Sequence, residues 1–460
     1  MSTAKEIWAA LLQTARHPLA GHAATVTAAN YAAAILGLLT AAVSARLLGP
    51  ADYGLAALAI AYPSLVWSLC AVKSETVTIR YLSRFRIAGN ADMLLSTCKF
   101  GYAVDLVSSF AALGIVGATA WWVADALYHH SELAWLMVVY GVSLPLRTLT
   151  NTSIAVFSSW EHFHWTAIGH LLDKLVTLAS VAGLLLAGFG VPGLVVGTAL
   201  VQAIMGLGLA LGANSVLTQA GLGRWWNSSL RGITSLKQEL RTFLGWSYLT
   251  TTFNGLAEQI PLILLGRLRG PEEAGFFRLA TSLVTVASYL EGALGRVSYP
   301  HLSARWVSSG VVGFRGTLIR WTTRVGIPAA LCFLVIIPLL PVLVSLVFGS
   351  RYLPMVMGTQ IMVGAAAIGA LLFWLASAYN AAGWVRSWAQ GYAAYTVGLL
   401  VLSWWAIAGW GFLGMAVVSG VTKVTFYLVM AWLILAPENG NPEVTSVARE
   451  GRGQRVPRNG

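Results

Sequence analysis

Charged side chains are scarce in this sequence. Asp, Glu, Lys and Arg make up 10% of its 460 residues, against roughly 25% in soluble globular proteins. Hydrophobic residues make up 57% of the chain, and the mean hydropathy is +0.71. A water-soluble fold of this length could not bury so much apolar surface. A soluble globular protein is therefore excluded.

Cysteine is scarce as well, and several chemical motifs are missing. Cys70, Cys98 and Cys332 are scattered in or beside apolar runs, which predicts neither a disulfide framework nor a metal cluster. No lysine follows a glycine, so the G-x-x-x-x-G-K-[ST] phosphate loop and ATP hydrolysis through it are absent. The EHFH stretch at Glu161 has no further spaced ligand and is interpreted as a polar loop. We expect no catalytic residues, no metal and no organic cofactor.

Long charge-free runs are what the sequence has instead. Residues 25–43 and 328–348 are two examples, each close to the roughly 20 residues that cross a hydrocarbon core. The apolar windows predict an all-α polytopic membrane protein of about 12 transmembrane helices. The predicted spans are 25–45, 53–73, 101–123, 133–157, 166–188, 191–213, 242–265, 275–297, 320–347, 354–379, 387–408 and 411–436.

The basic residues gather in alternate connections between these spans. If both termini are cytoplasmic, the inner segments hold most of the lysines and arginines, whereas the outer segments hold only Arg46, Arg267, Arg269 and Arg351. The positive-inside rule predicts this asymmetry. It also explains the formal charge of +12 by attraction to an anionic inner leaflet, so we expect membrane lipids as partners and no nucleic acid.

One segment occurs twice. RLLGPADYGLAALA from Arg46 to Ala59 returns as RLRGPEEAGFFRLA from Arg267 to Ala280, and each copy joins the first span of a half to its second. Six predicted spans separate the copies, and an even number restores the direction of the chain. The halves are therefore predicted to be parallel, a repeat typical of secondary transporters with a central site. Gly-Pro turns also recur simply because short helical hairpins need them.

The L-x-G-P-x-[DE]-x-G signature in both copies resembles the Wzx-type oligosaccharide flippases of the multidrug/oligosaccharidyl-lipid/polysaccharide exporter superfamily. The resemblance covers the chain up to Pro437. It implies two six-helix lobes, at residues 1–220 and 221–436, that form a V and alternate between inward-open and outward-open states. Residues 437–460 are expected to form a disordered cytoplasmic tail.

The same resemblance implies the cargo and the location. Wzx-type proteins carry undecaprenyl-pyrophosphate-linked oligosaccharides for polysaccharide or lipopolysaccharide biosynthesis, in a cavity that is commonly cationic. It implies the bacterial inner membrane as location, and it leaves a polysaccharide polymerase and glycosyltransferases open as partners.

Ionisable residues at membrane depth are the candidates for function, because each one costs about 2.5–3.5 kcal/mol on insertion scales. Arg147, Lys174 and Lys423 are candidates for a cationic substrate site, with arginine able to bind phosphate through two hydrogen bonds. A structural partner is the alternative for each. Asp173 and Lys174 point about 100° apart on a helix, so they need not neutralise each other.

Four further charged residues have other candidate roles. Glu258 and Glu291 are expected either to bind a coupling proton or sodium ion or, more simply, to form ion pairs, for which Arg278 and Arg296 are available. Glu75 and Arg80 are candidates for an inner gate, or else begin a solvated loop. Asp105 lies near the inner end of its span, where solvation is expected to make burial inexpensive.

Three functions remain open. A flippase for a lipid-linked oligosaccharide is favoured. A cation-coupled drug or metabolite antiporter of the same superfamily is the nearest alternative, but the deep charges of the first half include Arg147 and Lys174, which favours an anionic cargo. A membrane polysaccharide polymerase or glycosyltransferase would be expected to have a large outward loop, and the predicted outward connections are short.

Overall fold

The fold is a succession of long helices joined by short turns. The computed structural model describes residues 18–72, 74–229 and 237–436, and these residues contain helices and no strand. The α-helices are α1 Pro18–Leu48, α2 Pro50–Cys70, α3 Ser74–Ile87, α4 Ala91–Ala126, α5 Leu133–Ser159, α6 Phe163–Leu186, α7 Gly190–Gln219, α8 Lys237–Arg269, α9 Pro271–Trp321, α10 Ile327–Val347, α11 Val356–Leu371, α12 Leu375–Ala381 and α13 Val385–Leu435. Short 3₁₀ helices occupy Trp225–Asn227 and Ser350–Met355, and a π-helical turn occupies Thr322–Gly326.

The predicted spans correspond to these helices. Nine helical stretches among the described residues are long and apolar enough to cross a membrane. Two of them, Pro271–Val347 and Val385–Leu435, each contain a glycine with non-helical backbone angles, at Gly310 and Gly411. Each of these two stretches holds two predicted spans. The predicted span 242–265 lies in α8, which falls outside the nine.

Both copies of the repeat form the same turn. Gly49 and Gly270 have φ of 81° and 92°, values that favour glycine. Pro50 and Pro271 then begin α2 and α9, where the missing N–H of proline leaves no helical hydrogen bond unmade. The Gly-Pro pair therefore ends one helix and starts the next.

Three segments have more local structure than the apolar windows indicated. Glu75 and Arg80, for which the sequence left an inner gate or a solvated loop start open, lie in α3. The connection at 298–319 is helical on both sides of Gly310, and α9 accommodates Pro300. The predicted span 354–379 lies in the apolar stretch Ser350–Ala381, which consists of a 3₁₀ segment, α11 and α12 with a turn at residues 372–374.

The described surface is strongly apolar. Large hydrophobic side chains such as Trp405, Leu186 and Leu211 are 76%, 75% and 72% exposed. Soluble proteins rarely expose such surface over long helices, and in a bilayer the lipid tails cover it. The chain is a multi-pass membrane protein.

The helices group into two compact units, residues 1–278 and 279–460. In the first unit α5 packs against α4 and α7, α1 packs against α6, and α8 packs against α2. In the second unit α11 packs against α10 and α13. The lobe boundary at residue 220 stays a prediction, and the tail at 437–460 lies outside the described residues.

Candidate cargo site

A buried tyrosine holds the predicted cationic residue of α5. Arg147 Nη1 donates to the hydroxyl oxygen of Tyr140 at 3.3 Å, and Gln202 Nε2 of α7 donates to the same oxygen at 3.4 Å. Residues seven apart lie on one face of a helix, two turns from each other. Tyr140 is only 2% exposed, whereas Arg147 is half-buried. The buried hydroxyl of Tyr140 thus holds one end of the Arg147 guanidinium in place.

The close approach of α5 and α7 explains this contact. A Cβ atom at Gly206 would lie 1.9 Å from the carbonyl oxygen of Leu146, which no side chain tolerates. Gln202 lies one turn before Gly206 on the same helix face. The glycine therefore brings the backbone of α7 against α5, and the amide of Gln202 reaches Tyr140.

A second arginine acts on the same tyrosine. Arg278, near the start of α9 and within the first unit, interacts electrostatically with Tyr140 and with Tyr53 of α2. Its Nη1 atom lies 4.0 Å from Oε1 of Glu258, and the two side chains are 38% and 67% exposed. Arg147 thus contacts the phenol directly, whereas the charge of Arg278 acts on it more weakly.

Sequence reasoning treated Arg278 only as an ion-pair partner available to Glu258 or Glu291. The repeat held a signal for it: Arg278 stands where the first copy has Ala57. A charge that replaces alanine at an aligned position of a transmembrane repeat departs from the pattern, and such departures are where the two halves differ in chemistry. This difference could have identified Arg278 as a site residue.

Lys174 has a different surrounding. Its Nζ atom lies 2.9 Å from Oδ2 of Asp173, its neighbour in α6. Although the Cα–Cβ directions differ by about 100°, the long lysine side chain bends back to its neighbour, so the two charges do pair.

The second unit contains Lys423 and Glu291 in one small cluster. Lys423 Nζ of α13 lies 5.7 Å from the centre of the Tyr427 ring, one helical turn away. The Tyr427 hydroxyl donates to Oε1 of Glu291 in α9 at 2.7 Å. A Cβ atom at Gly369 of α11 would lie 2.7 Å from the other carboxylate oxygen, so a glycine makes room for the acid. The partner of Glu291 is thus a tyrosine.

The predicted inner gate lies on α3. Glu75 is half-buried in the first turn of this helix, and Arg80 is exposed further along it. Asp105 of α4 is near this helix, and the expectation that it is solvated was wrong. It is 1% exposed, because Ser74 of α3 and Thr152 of α5 cover it with hydrogen bonds of 2.6 and 2.9 Å.

The EHFH stretch shows aromatic packing. The rings of His162 and His164 meet edge to face, with centres 5.5 Å apart, and Glu161 has a left-handed φ of 60°. Among the described residues no three His, Cys, Asp or Glu side chains come together as metal ligands would.

The geometry at Tyr140 suits an anion. Arg147 is half-buried and the Arg278 side chain is 38% exposed, so neither guanidinium is enclosed in the protein core. Glu258 is exposed and lies 4.0 Å from Arg278, and exposed ion pairs of this kind contribute little to stability. A phosphate could replace it with two charge-assisted hydrogen bonds per guanidinium. The arrangement at Tyr140 is therefore a candidate site for an anionic group.

Comparisons with known proteins agree with a transporter fold. A family model described as Polysaccharide biosynthesis protein matches residues 43–357. Inner membrane protein YghQ of Escherichia coli (strain K12) is 22% identical in an alignment 354 residues long that covers 72% of this chain and 93% of that protein.

Two kinds of solved structure share the fold. Lipid II flippase MurJ, in an inward closed conformation, has a TM-score of 0.66 at 11% identity, over 93% of this chain and 90% of that one. An inward-facing multidrug resistance MATE family transporter of the MOP superfamily has a TM-score of 0.63 at 13% identity, over 90% and 96%. The predicted fold class, an all-α membrane protein of the two-lobe transporter type, is confirmed.

Proposed function

This chain belongs to the polysaccharide biosynthesis protein family, and we propose that it is a flippase that moves an undecaprenyl-pyrophosphate-linked oligosaccharide across a bacterial inner membrane. The resemblance inferred from the repeated signature is thereby confirmed at the level of the family. The observation that carries the proposal is a pair of arginines: Arg147 donates a hydrogen bond to the buried phenol of Tyr140, and the charge of Arg278 acts more weakly on the same phenol. The family leaves the cargo open, and this pair favours an anionic one.

The pyrophosphate is the part of such a cargo that needs the protein most. Two linked phosphates carry charge that lipid tails cannot solvate, whereas the polyprenyl chain can remain in the lipid. Guanidinium groups bind phosphate through parallel hydrogen bonds and keep their charge when partly buried. Arg147 and Arg278 would replace water around the phosphates, and alternating access would then release them on the other side.

The remaining charged candidates have supporting roles in this proposal. Glu258 would remain near Arg278 between transport cycles and offset part of its charge. Glu291 would fix Tyr427 beneath Lys423, and Lys423 would provide a further cation for the cargo. Lys174 would contribute as a long-range positive charge weakened by Asp173. Glu75 and Arg80 would act at the inner end of the first unit.

A cation-coupled drug or metabolite antiporter is the second candidate. The fold shared with the MATE transporter supports it, but a cationic drug would be repelled by two arginines. A proton or sodium gradient would drive either function. A membrane polymerase or glycosyltransferase has no observation in its favour beyond the family description. We place the protein in the inner membrane with both termini cytoplasmic. Glycosyltransferases would supply its cargo there, and a polymerase would consume it.

Accumulation of lipid-linked oligosaccharide on the inner leaflet tests this function. Cells that lack the protein are expected to accumulate it, and wild-type protein should relieve the accumulation. Arg147→Ala should fail to relieve it, whereas Arg351→Ala, at an exposed arginine after α10, should succeed. No accumulation, together with sensitivity to cationic drugs, would instead identify the antiporter.

A further inference from the structure

Asp105 of α4 is a buried acid that the proposed cargo site does not use. Its side chain is 1% exposed. Oδ1 accepts a hydrogen bond of 2.6 Å from Ser74 Oγ, and Oδ2 accepts one of 2.9 Å from Thr152 Oγ1. Ser74 and Thr152 are themselves 2% and 0% exposed. Three different helices therefore enclose this carboxyl group.

The charges around Asp105 do not compensate it. Glu75 of α3 repels it, Tyr102 lies one turn earlier on α4, and Asn151 of α5 offers a neutral amide. Among the described residues no lysine, arginine or histidine forms an ion pair with it. Lys73, which precedes Ser74, lies outside the described residues. An ionised carboxylate that is buried among neutral hydrogen-bond partners is destabilised, and a bound proton removes its charge.

The space around the carboxyl group favours a proton over a metal ion. A Cβ atom at Gly101, one turn before Asp105 on α4, would lie 2.7 Å from Thr152 Oγ1 and 2.9 Å from Thr78 Oγ1, so these two hydroxyl groups pack directly against α4. Hard metal ions need about six oxygen ligands with free lone pairs. Both Asp105 oxygens already accept hydroxyl hydrogens, and those hydroxyls can rotate to accept a proton from the neutral acid instead.

We propose that Asp105 is a proton-binding site whose occupancy sets how firmly the start of α3 is attached to α4 and α5. When the acid is ionised, Ser74 donates a charge-assisted hydrogen bond that holds the first residue of α3. When a proton from water binds an Asp105 oxygen, that bond becomes a weaker neutral one. α3 also carries Glu75 and Arg80, so the proton would act on the predicted inner gate.

This inference concerns a site separate from the cargo arginines. Coupling of the proton to transport rests on the proposed function, but the binding itself can be measured without any cargo by infrared spectroscopy. Failure of the proposed function would leave the infrared result unchanged, and failure of the infrared result would leave the cargo site unchanged.

Infrared difference spectroscopy on the full-length protein in lipid bilayers tests the binding. We expect acidification to produce the carbonyl-stretch band of a buried protonated carboxyl group, and Asp105→Asn to lose that band. Asp92→Asn, at an exposed acid of the same helix, and Glu75→Gln should keep it. Absence of the band in wild type at every pH, or its persistence in Asp105→Asn, overturns the proposal.

Two further arms make the result specific. Ser74→Ala keeps the acid and removes one donor, so the band should remain and shift in frequency; an unshifted band contradicts the assignment, even if Asp105→Asn fails to fold. Sodium chloride added at constant pH should leave the band in place. Loss of the band with sodium would show a metal-ion site and overturn the proton proposal.

Hydrogen exchange tests the link to α3. Because the side-chain amide introduced by Asp105→Asn imitates the neutral acid, backbone amides of residues 77–81 should exchange about tenfold faster in this variant than in wild type at alkaline pH, the difference between a charge-assisted and a neutral hydrogen bond. Amides of α6 should be unchanged, and Asp92→Asn should match wild type. Equal exchange in Asp105→Asn and wild type would contradict the link.

Discussion

Gly54 and Gly275 occupy the same position in the two copies of the repeat, and each packs against the proline that begins the helix of the other copy. A Cβ atom at Gly54 would lie 1.7 Å from the carbonyl oxygen of Pro271, and one at Gly275 would lie 2.6 Å from the carbonyl oxygen of Pro50. The contact is reciprocal, as expected when two related segments meet across a local two-fold axis. The glycine at this position is thus required by the packing of the two segments, whereas Gly49 and Gly270 are required by the turn.

Gly54→Ala should therefore destabilise the protein. The added methyl group must push backbone away from backbone, and such overpacking costs about 1–3 kcal/mol. Gly37→Ala is the matched control, because Gly37 lies inside α1 with no atom within 4 Å of an added Cβ. Thermal unfolding in detergent compares the two variants. Equal melting temperatures for Gly54→Ala and Gly37→Ala would show that the contact is absent.

Tyr140→Phe should impair transport by releasing Arg147. The substitution removes the oxygen that accepts from Arg147 and Gln202, and it leaves a buried amide unpaired at a cost of about 1–3 kcal/mol. Relief of inner-leaflet accumulation should drop in this variant, whereas Tyr299→Phe, at a tyrosine that is 44% exposed, should be normal. In an Arg147→Ala background, Tyr140→Phe should cause no further loss of transport. An additive loss would show that Tyr140 acts independently of Arg147.

Arg278→Ala should lower transport as Arg147→Ala does. Glu258→Gln, by contrast, should keep transport and change stability by less than about 1 kcal/mol, because the pair is half-exposed and long. Complementation in cells and thermal unfolding measure the two effects. A Glu258→Gln variant that inserts normally but cannot transport would assign the coupling ion to Glu258.

Glu291→Gln should keep transport, since an amide oxygen can still accept the Tyr427 hydrogen bond. Glu291→Leu should destabilise the second unit by about 1–3 kcal/mol, because it leaves the buried Tyr427 hydroxyl without an acceptor. Complementation under an imposed ion gradient and thermal unfolding distinguish the variants. If Glu291→Gln loses the response to the gradient while it remains folded, the acid binds the coupling ion.

The apolar runs and the repeat predicted most of the fold. Apolar runs of about 20 residues indicate membrane spans, and two copies of one Gly-Pro sequence form the same turn. They could not predict α3, whose composition is polar and whose helical form depends on packing against α4 and α5. Asp105 was misjudged for the same reason: its position along the helix suggested solvent, but its burial depends on Ser74 and Thr152, which are distant in sequence.

The candidate site shows a similar division. Arg147 was identifiable because a charge at the middle of a span is costly and indicates a partner or a function. Its anchor Tyr140 was not, because tyrosine is ordinary in an apolar helix. The contact between Lys174 and Asp173 depends on side-chain rotamers that helix geometry alone leaves open.

Transfer across a sealed vesicle tests the central claim most directly. Lipid-linked oligosaccharide extracted from cells that lack the protein is labelled with a fluorophore on its sugar and placed in proteoliposomes, and an impermeant quencher reports how much reaches the outer leaflet. Wild type and Arg351→Ala should move the lipid, and the double variant of Arg147→Ala with Arg278→Ala should not. Equal transfer by wild type and the double variant, or none by wild type, would contradict a flippase whose cargo is bound by these two arginines.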